Sequence, residues 1–247
     1  TQAFEYGVLE NLDANTFTRT GYAFAGWATT SGGSVVQTDS SGIIVTANRT
    51  LYAKWTAIDY TVTYAANGSS ATVPTETAKN YQDTVTVKAA ITRTGYDFQG
   101  WSDGTTTYNP TGTLTMPARN VTLTALWQIQ VYTITYNDAS ALSGSPSRTS
   151  DSYIYGYPAI SLPTEGTLTK TGYNFGGWSE TLGGSAIVGN YTPTSSKTLY
   201  AVWTPITYTV TYNSNGATGA LAKTSDSYTT GDTAITLPGV GQMTKAG

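Results

Sequence analysis

The residues in this chain that could do chemistry are carboxylates, lysines and hydroxyls, because it contains neither histidine nor cysteine. Two Ser-Asp-Ser-Tyr tetrads, Ser150–Tyr153 and Ser225–Tyr228, set Asp151 and Asp226 in matching contexts. One carboxylate per copy falls far short of the roughly six to eight oxygens that calcium takes, so both aspartates read as turn caps. Glycoside cleavage needs two carboxylates facing each other across a substrate. Here the 15 acidic residues are scattered, and Asp97, which lies inside an aromatic motif, is matched in the other copies of that motif by Ala23 and Asn174. Lys54 has the right type for an intramolecular Lys–Asn bond. Its counterparts are Leu126 and Val202, however, and strand alternation puts it on the face opposite Trp55. A nucleophilic serine would lack its base, and the Gly-Gly pairs lack the Gly-Lys-Ser/Thr ending of a phosphate loop. The expectation is a protein that is not an enzyme, with no catalytic, metal or cofactor-binding residues.

What remains is an aromatic pattern. Thr20–Trp27 reads TGYAFAGW, Thr94–Trp101 reads TGYDFQGW, and Thr171–Trp178 reads TGYNFGGW. Near-regular recurrence of this kind marks a repeat array. Nineteen tyrosines and six tryptophans argue against disorder. Charged residues make up 11% of the chain, and the formal net charge is -3. About a quarter is usual in soluble domains. Without a basic run, nucleic acid is not an expected partner, and without a long apolar run, neither is the membrane interior. The chain opens and closes inside its own pattern, which reads as a piece cut from a longer array.

Three landmarks define the unit. The first is an alternating strand, seen as Tyr60–Tyr64, Tyr132–Tyr136 and Tyr208–Tyr212, each reading Y-T-V/I-T-Y. Asn67-Gly68 and Asn215-Gly216 follow as turn signals, whereas Asp138-Ala139 implies a different turn. The second landmark is the TGYxFxGW segment. Its Trp breaks the alternation, and Gly26, Gly100 and Gly177 are placed to absorb the slip through a bulge or bend. The third is Leu51–Trp55, Leu123–Trp127 and Leu199–Trp203, where Leu, Ala and Trp share one face. Ala159–Leu162 and Ala234–Leu237 read as short strands or single helical turns ended by proline. Glycine-marked hairpin tips at Ser31–Ser34, Asp103-Gly104 and Gly183–Ser185 lie between the two tryptophans of each copy.

The domains expected from this are 1–56, a repeat lacking its first strand; 58–128 and 130–204, both complete; and 206–247, a repeat lacking its C-terminal hairpin. Four-residue linkers favour an extended rod. Each unit must build its core from few residues, and these are Tyr22, Phe24, Trp27 and Trp55; Tyr96, Phe98, Trp101 and Trp127; and Tyr173, Phe175, Trp178 and Trp203. The two partial copies are complementary. Each is completed either by residues outside this chain or by another molecule through strand pairing.

With these residues assembled, the chain resembles the Listeria–Bacteroides repeat, the family of the B repeats of listerial internalin surface proteins. The match rests on Gly21, Tyr22, Phe24, Gly26 and Trp27 closing at Leu51, Ala53 and Trp55, and on the corresponding residues of the later copies. The resemblance implies mainly β (α+β) architecture, with small β-grasp-like, ubiquitin-like domains in tandem. It also implies a bacterial protein that is secreted or held at the cell surface, where the repeats act as the spacer or stalk of an adhesin. Partners would then be a host or neighbouring-cell surface protein or glycan, reached through the full-length protein. The alternatives are a weak carbohydrate- or protein-binding module, or strand-exchange assembly of an otherwise monomeric chain. For the binding module, the variable aromatics Tyr52, Tyr108, Tyr155, Tyr157 and Tyr191 are the ligand-facing candidates.

Overall fold

A computed structural model describes residues 1–139 and 141–239. The chain divides into two compact units, Thr1–Gln128 and Ile129–Gly247. The described residues form strands joined by turns, with no helix among them. Short strands rich in Thr, Tyr and Val, interrupted by glycine, favour this outcome.

In the first unit the strands are β1 (Leu9–Asn11), β2 (Tyr22–Ala28), β3 (Gly42–Ile44), β4 (Tyr52–Ala57), β5 (Val62–Ala65), β6 (Thr84–Thr86), β7 (Tyr96–Ser102), β8 (Thr107–Tyr108), β9 (Thr113–Thr115) and β10 (Val121–Ile129). β2 pairs antiparallel with β4. The second copy forms a four-stranded sheet in the order β5-β10-β7-β8, beside the β6-β9 ribbon. β5 runs parallel to β10, pairing Val62 with Val121 and Tyr64 with Leu123. The second unit holds β11 (Val131–Asn137), β12 (Ser150–Ile154), β13 (Tyr173–Ser179), β14 (Lys197–Pro205), β15 (Thr207–Thr211) and β16 (Ser225–Thr229). Its main sheet has the order β12-β11-β14-β13, in which β11 runs parallel to β14 and pairs Ile134 with Lys197 and Tyr136 with Leu199. β15 and β16 form a separate antiparallel ribbon.

The slip in TGYxFxGW is a β-bulge. Phe24 lies opposite Trp55 and Gly26 opposite Lys54, which leaves one extra residue between them. The same shift falls between Phe175 and Gly177. Gly26, Gly100 and Gly177 have φ of 133, 136 and 112°, values that side chains other than hydrogen rarely tolerate. The bulge returns the tryptophan to the face of the phenylalanine. The Phe ring then meets two indoles edge to face: Phe98 lies 5.3 Å from Trp101 and 5.4 Å from Trp127, and Phe175 lies 5.4 Å from Trp178 and 5.9 Å from Trp203. Around them close two cores. One holds Val62, Tyr64, Val85, Val87, Leu114, Met116 and Leu123, and the other holds Ile134, Tyr136, Leu168, Tyr191 and Leu199.

Two local expectations need correction. Ala159–Leu162 is neither a strand run nor a helical turn. Ile160 makes a single bridge to Tyr191, because the distant Tyr191 backbone supplies both of its hydrogen bonds. Ala234–Leu237 likewise carries no strand or helix. At the turn that the sequence set apart, Ala139 itself shares the left-handed φ of its counterparts, and the residue after it lies outside the described residues. The φ of Ala139 is 46°, against 50° at Asn67 and 46° at Asn215, so an alanine occupies a left-handed site usually given to Asn or Gly.

The bulge glycines differ in what surrounds them. A Cβ on Gly100 would lie 2.6 Å from Thr107 Cγ2 and 3.0 Å from the Tyr108 carbonyl oxygen, whereas one on Gly177 would meet only Ala186 Cβ at 3.4 Å. Backbone strain alone costs about 1–3 kcal/mol at such sites. Gly100→Ala should therefore lower stability clearly more than Gly177→Ala in urea titrations followed by tryptophan fluorescence. Equal losses would count against the steric account.

Candidate functional site

The three copies that carry TGYxFxGW build their sites around it in the same way. A tight turn brings the basic residue three places before the tyrosine over its ring. Arg19 lies 3.9 Å from the Tyr22 centroid, Arg93 lies 3.8 Å from Tyr96, and Lys170 lies 4.6 Å from Tyr173. These cation–π contacts were readable from the R/K-T-G-Y spacing and were missed. Tyr22, Tyr96 and Tyr173 are half-buried beneath them, as are Phe24, Phe98 and Phe175 and the closing tryptophans Trp55, Trp127 and Trp203. Trp101 and Trp178 are fully buried.

The tryptophan that ends TGYxFxGW separates the copies. Trp101 Nε1 donates to the Lys88 carbonyl at 3.2 Å and Trp178 Nε1 to the Pro163 carbonyl at 2.7 Å. Trp27 Nε1 is buried and has no partner among the described residues. Its ring borders a cleft of about 860 Å³ whose lining includes Phe4, Phe17, Ile43, Arg49 and Leu51.

The carboxylates have structural work. Asp151 and Asp226 lie within strands, opposite Ile134 and Val210, and so are not turn caps. Tyr136 Oη donates to Asp151 at 2.6 Å, and Arg148 Nε donates to it at 2.8 Å. Tyr212 Oη donates to Asp226 at 2.9 Å, beside the Lys223 ammonium. A cation already occupies each carboxylate, and burial together with Asp151 holds the Tyr136 hydroxyl well above its usual range. No group of three or more His, Cys, Asp or Glu among the described residues could hold a metal ion. Asp103 caps its hairpin tip, accepting from the Thr106 and Thr105 N–H groups at 2.8 and 2.9 Å.

The five variable tyrosines do not form one exposed row. Tyr191 is 8% exposed, and its hydroxyl donates to Glu180; burial, then that carboxylate, pushes it up to about 12. It therefore presents no face to a ligand, because its bridge to Ile160 draws it into the core. Tyr108 is half-buried and donates to Asp103. Tyr155 is half-buried beside Tyr157, which is exposed. Tyr52 is exposed on β4 in the other unit. Lys54 Nζ donates to the Gly32 carbonyl.

A family model, the Listeria-Bacteroides repeat domain, matches residues 1–54, 60–126, 132–202 and 208–247. Two proteins of Evansella cellulosilytica are similar to the chain. One, whose name describes a Gly-rich membrane protein, is 32% identical over 64% of this chain and 20% of its own length. The other, whose name describes a membrane protein, is 30% identical over 68% of this chain and 24% of its own length. The chain thus spans about a fifth to a quarter of these relatives. No helix among the described residues is long and apolar enough to cross a membrane.

Two carboxylates give the second copy a pH signature. Glu76 is held near 2, first by its hydrogen bond to Lys88. Asp103 is held near 2 by the Thr106 and Thr105 amides. Depressed carboxylates stabilise the fold above their unfolded pKa, and that stabilisation is lost as pH falls through the folded value. The urea midpoint should fall between about pH 4 and pH 2, and less steeply in Glu76→Gln and Asp103→Asn. A slope unchanged in both variants would rule these groups out as its source.

Proposed function

The chain belongs to the Listeria-Bacteroides repeat family, and from that premise we propose that it is a non-catalytic, surface-displayed spacer made of the units 1–56, 58–128, 130–204 and 206–247. The observation that carries this reading is a joint that recurs between neighbouring copies. Ile58 N–H donates to the Gly21 carbonyl at 3.0 Å, and Ile206 N–H donates to the Gly172 carbonyl at 2.8 Å. In each case the next copy seats a side chain directly on the glycine. A Cβ on Gly21 would lie 2.3 Å from Tyr81 Cβ, and one on Gly172 would lie 2.6 Å from Thr230 Cγ2. Both glycines have φ near +80°. A backbone hydrogen bond together with a contact that admits no side chain restrains rotation between copies far more than a free linker would. The glycine of TGYxFxGW thus serves the junction, while the aromatics serve the core.

The central parallel pair flanked by antiparallel strands in β12-β11-β14-β13 supports a β-grasp reading of each repeat. The membrane-protein names of the relatives support a cell-surface or extracellular location for the longer protein. Its adhesive contacts, to a host or neighbouring-cell protein or glycan, would then be made by regions beyond the stalk. Small-angle X-ray scattering tests the spacer reading. Gly21→Leu or Gly172→Leu should broaden the distance distribution of the chain while circular dichroism stays unchanged. Variants that scatter identically to the parent would refute the rigid-joint spacer. Glycan-array binding lost in Tyr157→Ala would favour the binding module instead.

A further inference from the structure

We propose that each complete repeat is a force-bearing clamp, in which tension along the chain meets the first and last strands in shear. The proposal rests on the spacer reading for its load, which is the pull on a surface-displayed chain. Strand direction carries it. The chain enters the second copy at the start of β5 and leaves it at the end of β10, and these two strands lie side by side and parallel. It enters the third copy at β11 and leaves it from β14, again adjacent and parallel. In a parallel pair, the start of one strand and the end of the other lie at opposite ends of their shared seam. Pulling on both slides one strand past the other. Every bond across the seam is then loaded at once, and the residues between the two strands carry no tension until the seam gives way. A pair pulled from one end of its seam opens bond by bond instead.

The seam is fastened along its whole length. At its start, the residue just before the last strand holds the residue just before or within the first. Asn120 Oδ1 accepts from Thr61 N–H at 2.9 Å, and Ser196 Oγ accepts from Thr133 N–H at 3.0 Å. The ladder follows, from Val62 opposite Val121 to Ala65 opposite Thr124 in one copy, and from Ile134 opposite Lys197 to Asn137 opposite Tyr200 in the other. At the far end the closing indole reaches back across the seam. Trp127 Nε1 donates to the Ala66 carbonyl at 3.0 Å, and Trp203 Nε1 donates to the Asp138 carbonyl at 3.4 Å. The second copy adds Asn67 Nδ2, which donates to the Ala125 carbonyl at 2.8 Å, and the Thr63 and Thr122 hydroxyls 3.0 Å apart. Val62, Val121, Leu123, Ile134 and Leu199 are buried along the seam, which keeps water from competing for bonds as they stretch. The side-chain bonds among these join residues 58 to 65 apart in sequence. Most of a repeat is thus held in reserve behind one short ladder.

The chain contains no cysteine, so pairs of introduced cysteines choose the direction of pull on the whole chain. Val131→Cys with Thr204→Cys grips the third copy at opposite ends of its seam, and Val131→Cys with Ser195→Cys grips it at one end. All three positions are exposed, and handles are joined as thioethers under reducing conditions. Both variants should match the parent in circular dichroism and urea midpoint, so that direction alone separates them. In single-molecule pulling at one loading rate, the first variant should unfold at a force at least about twofold above the second, because forced unfolding follows the unfolding barrier and shear loads the whole ladder together. Equal forces, or a lower force for the first variant, would overturn the clamp. Neither result would bear on the joint between copies, which scattering of the Gly21 and Gly172 variants reads separately.

Discussion

One ring held between two others governs this fold. In each of the three copies that carry TGYxFxGW a phenylalanine packs its edges against an indole on its own strand and an indole on the neighbouring strand, as Phe24 does with Trp27 and Trp55 at 5.1 and 5.6 Å. Such contacts contribute about 0.5–1.5 kcal/mol each beyond the area they bury, which matters in a domain of some 70 residues with no disulfide. The geometry is demanding. Strict alternation would send the first tryptophan to the opposite face. The bulge corrects this, the bulge requires positive φ, and positive φ requires glycine. Three features of the motif are therefore one constraint seen at three positions.

Around that cluster, what closes a repeat is its parallel pair. Where β5 and β11 lie beside the last strand, that strand is nine residues long and its leucine is fully buried. In the first copy β4 runs six residues and Leu51 is half-buried.

Much of this was legible in the residues. The Y-T-V-T-Y strands announce themselves by period two, and the glycine two residues after Phe24, Phe98 or Phe175 signals a bulge because nothing else reconciles Trp with the same face. What escaped depended on register between distant segments. The role of Asp151 follows from its lying opposite Ile134, which brings it to the Tyr136 hydroxyl. The burial of Tyr191 follows from its bridge to Ile160. Neither partner is implied by local pattern. The short strand or helical turn anticipated at Ala159–Leu162 fails for the same reason, since the distant Tyr191 backbone took the hydrogen bonds of Ile160. The left-handed Ala139 shows the reverse case, with the surrounding fold imposing a conformation its own side chain disfavours.

The parallel pairing also sets a timetable. Thr63 and Thr122, side by side in the finished sheet, are 59 residues apart along the chain. A first strand emerging from the ribosome can fold against its hairpin partner at once, but it must wait for most of a repeat to be made before its other edge is covered. Loop closure of that length is entropically costly and slow relative to local turns. During synthesis, every repeat therefore passes through a stage in which an apolar strand edge stands open. The threonines that alternate through these strands keep one of its two faces polar during that interval.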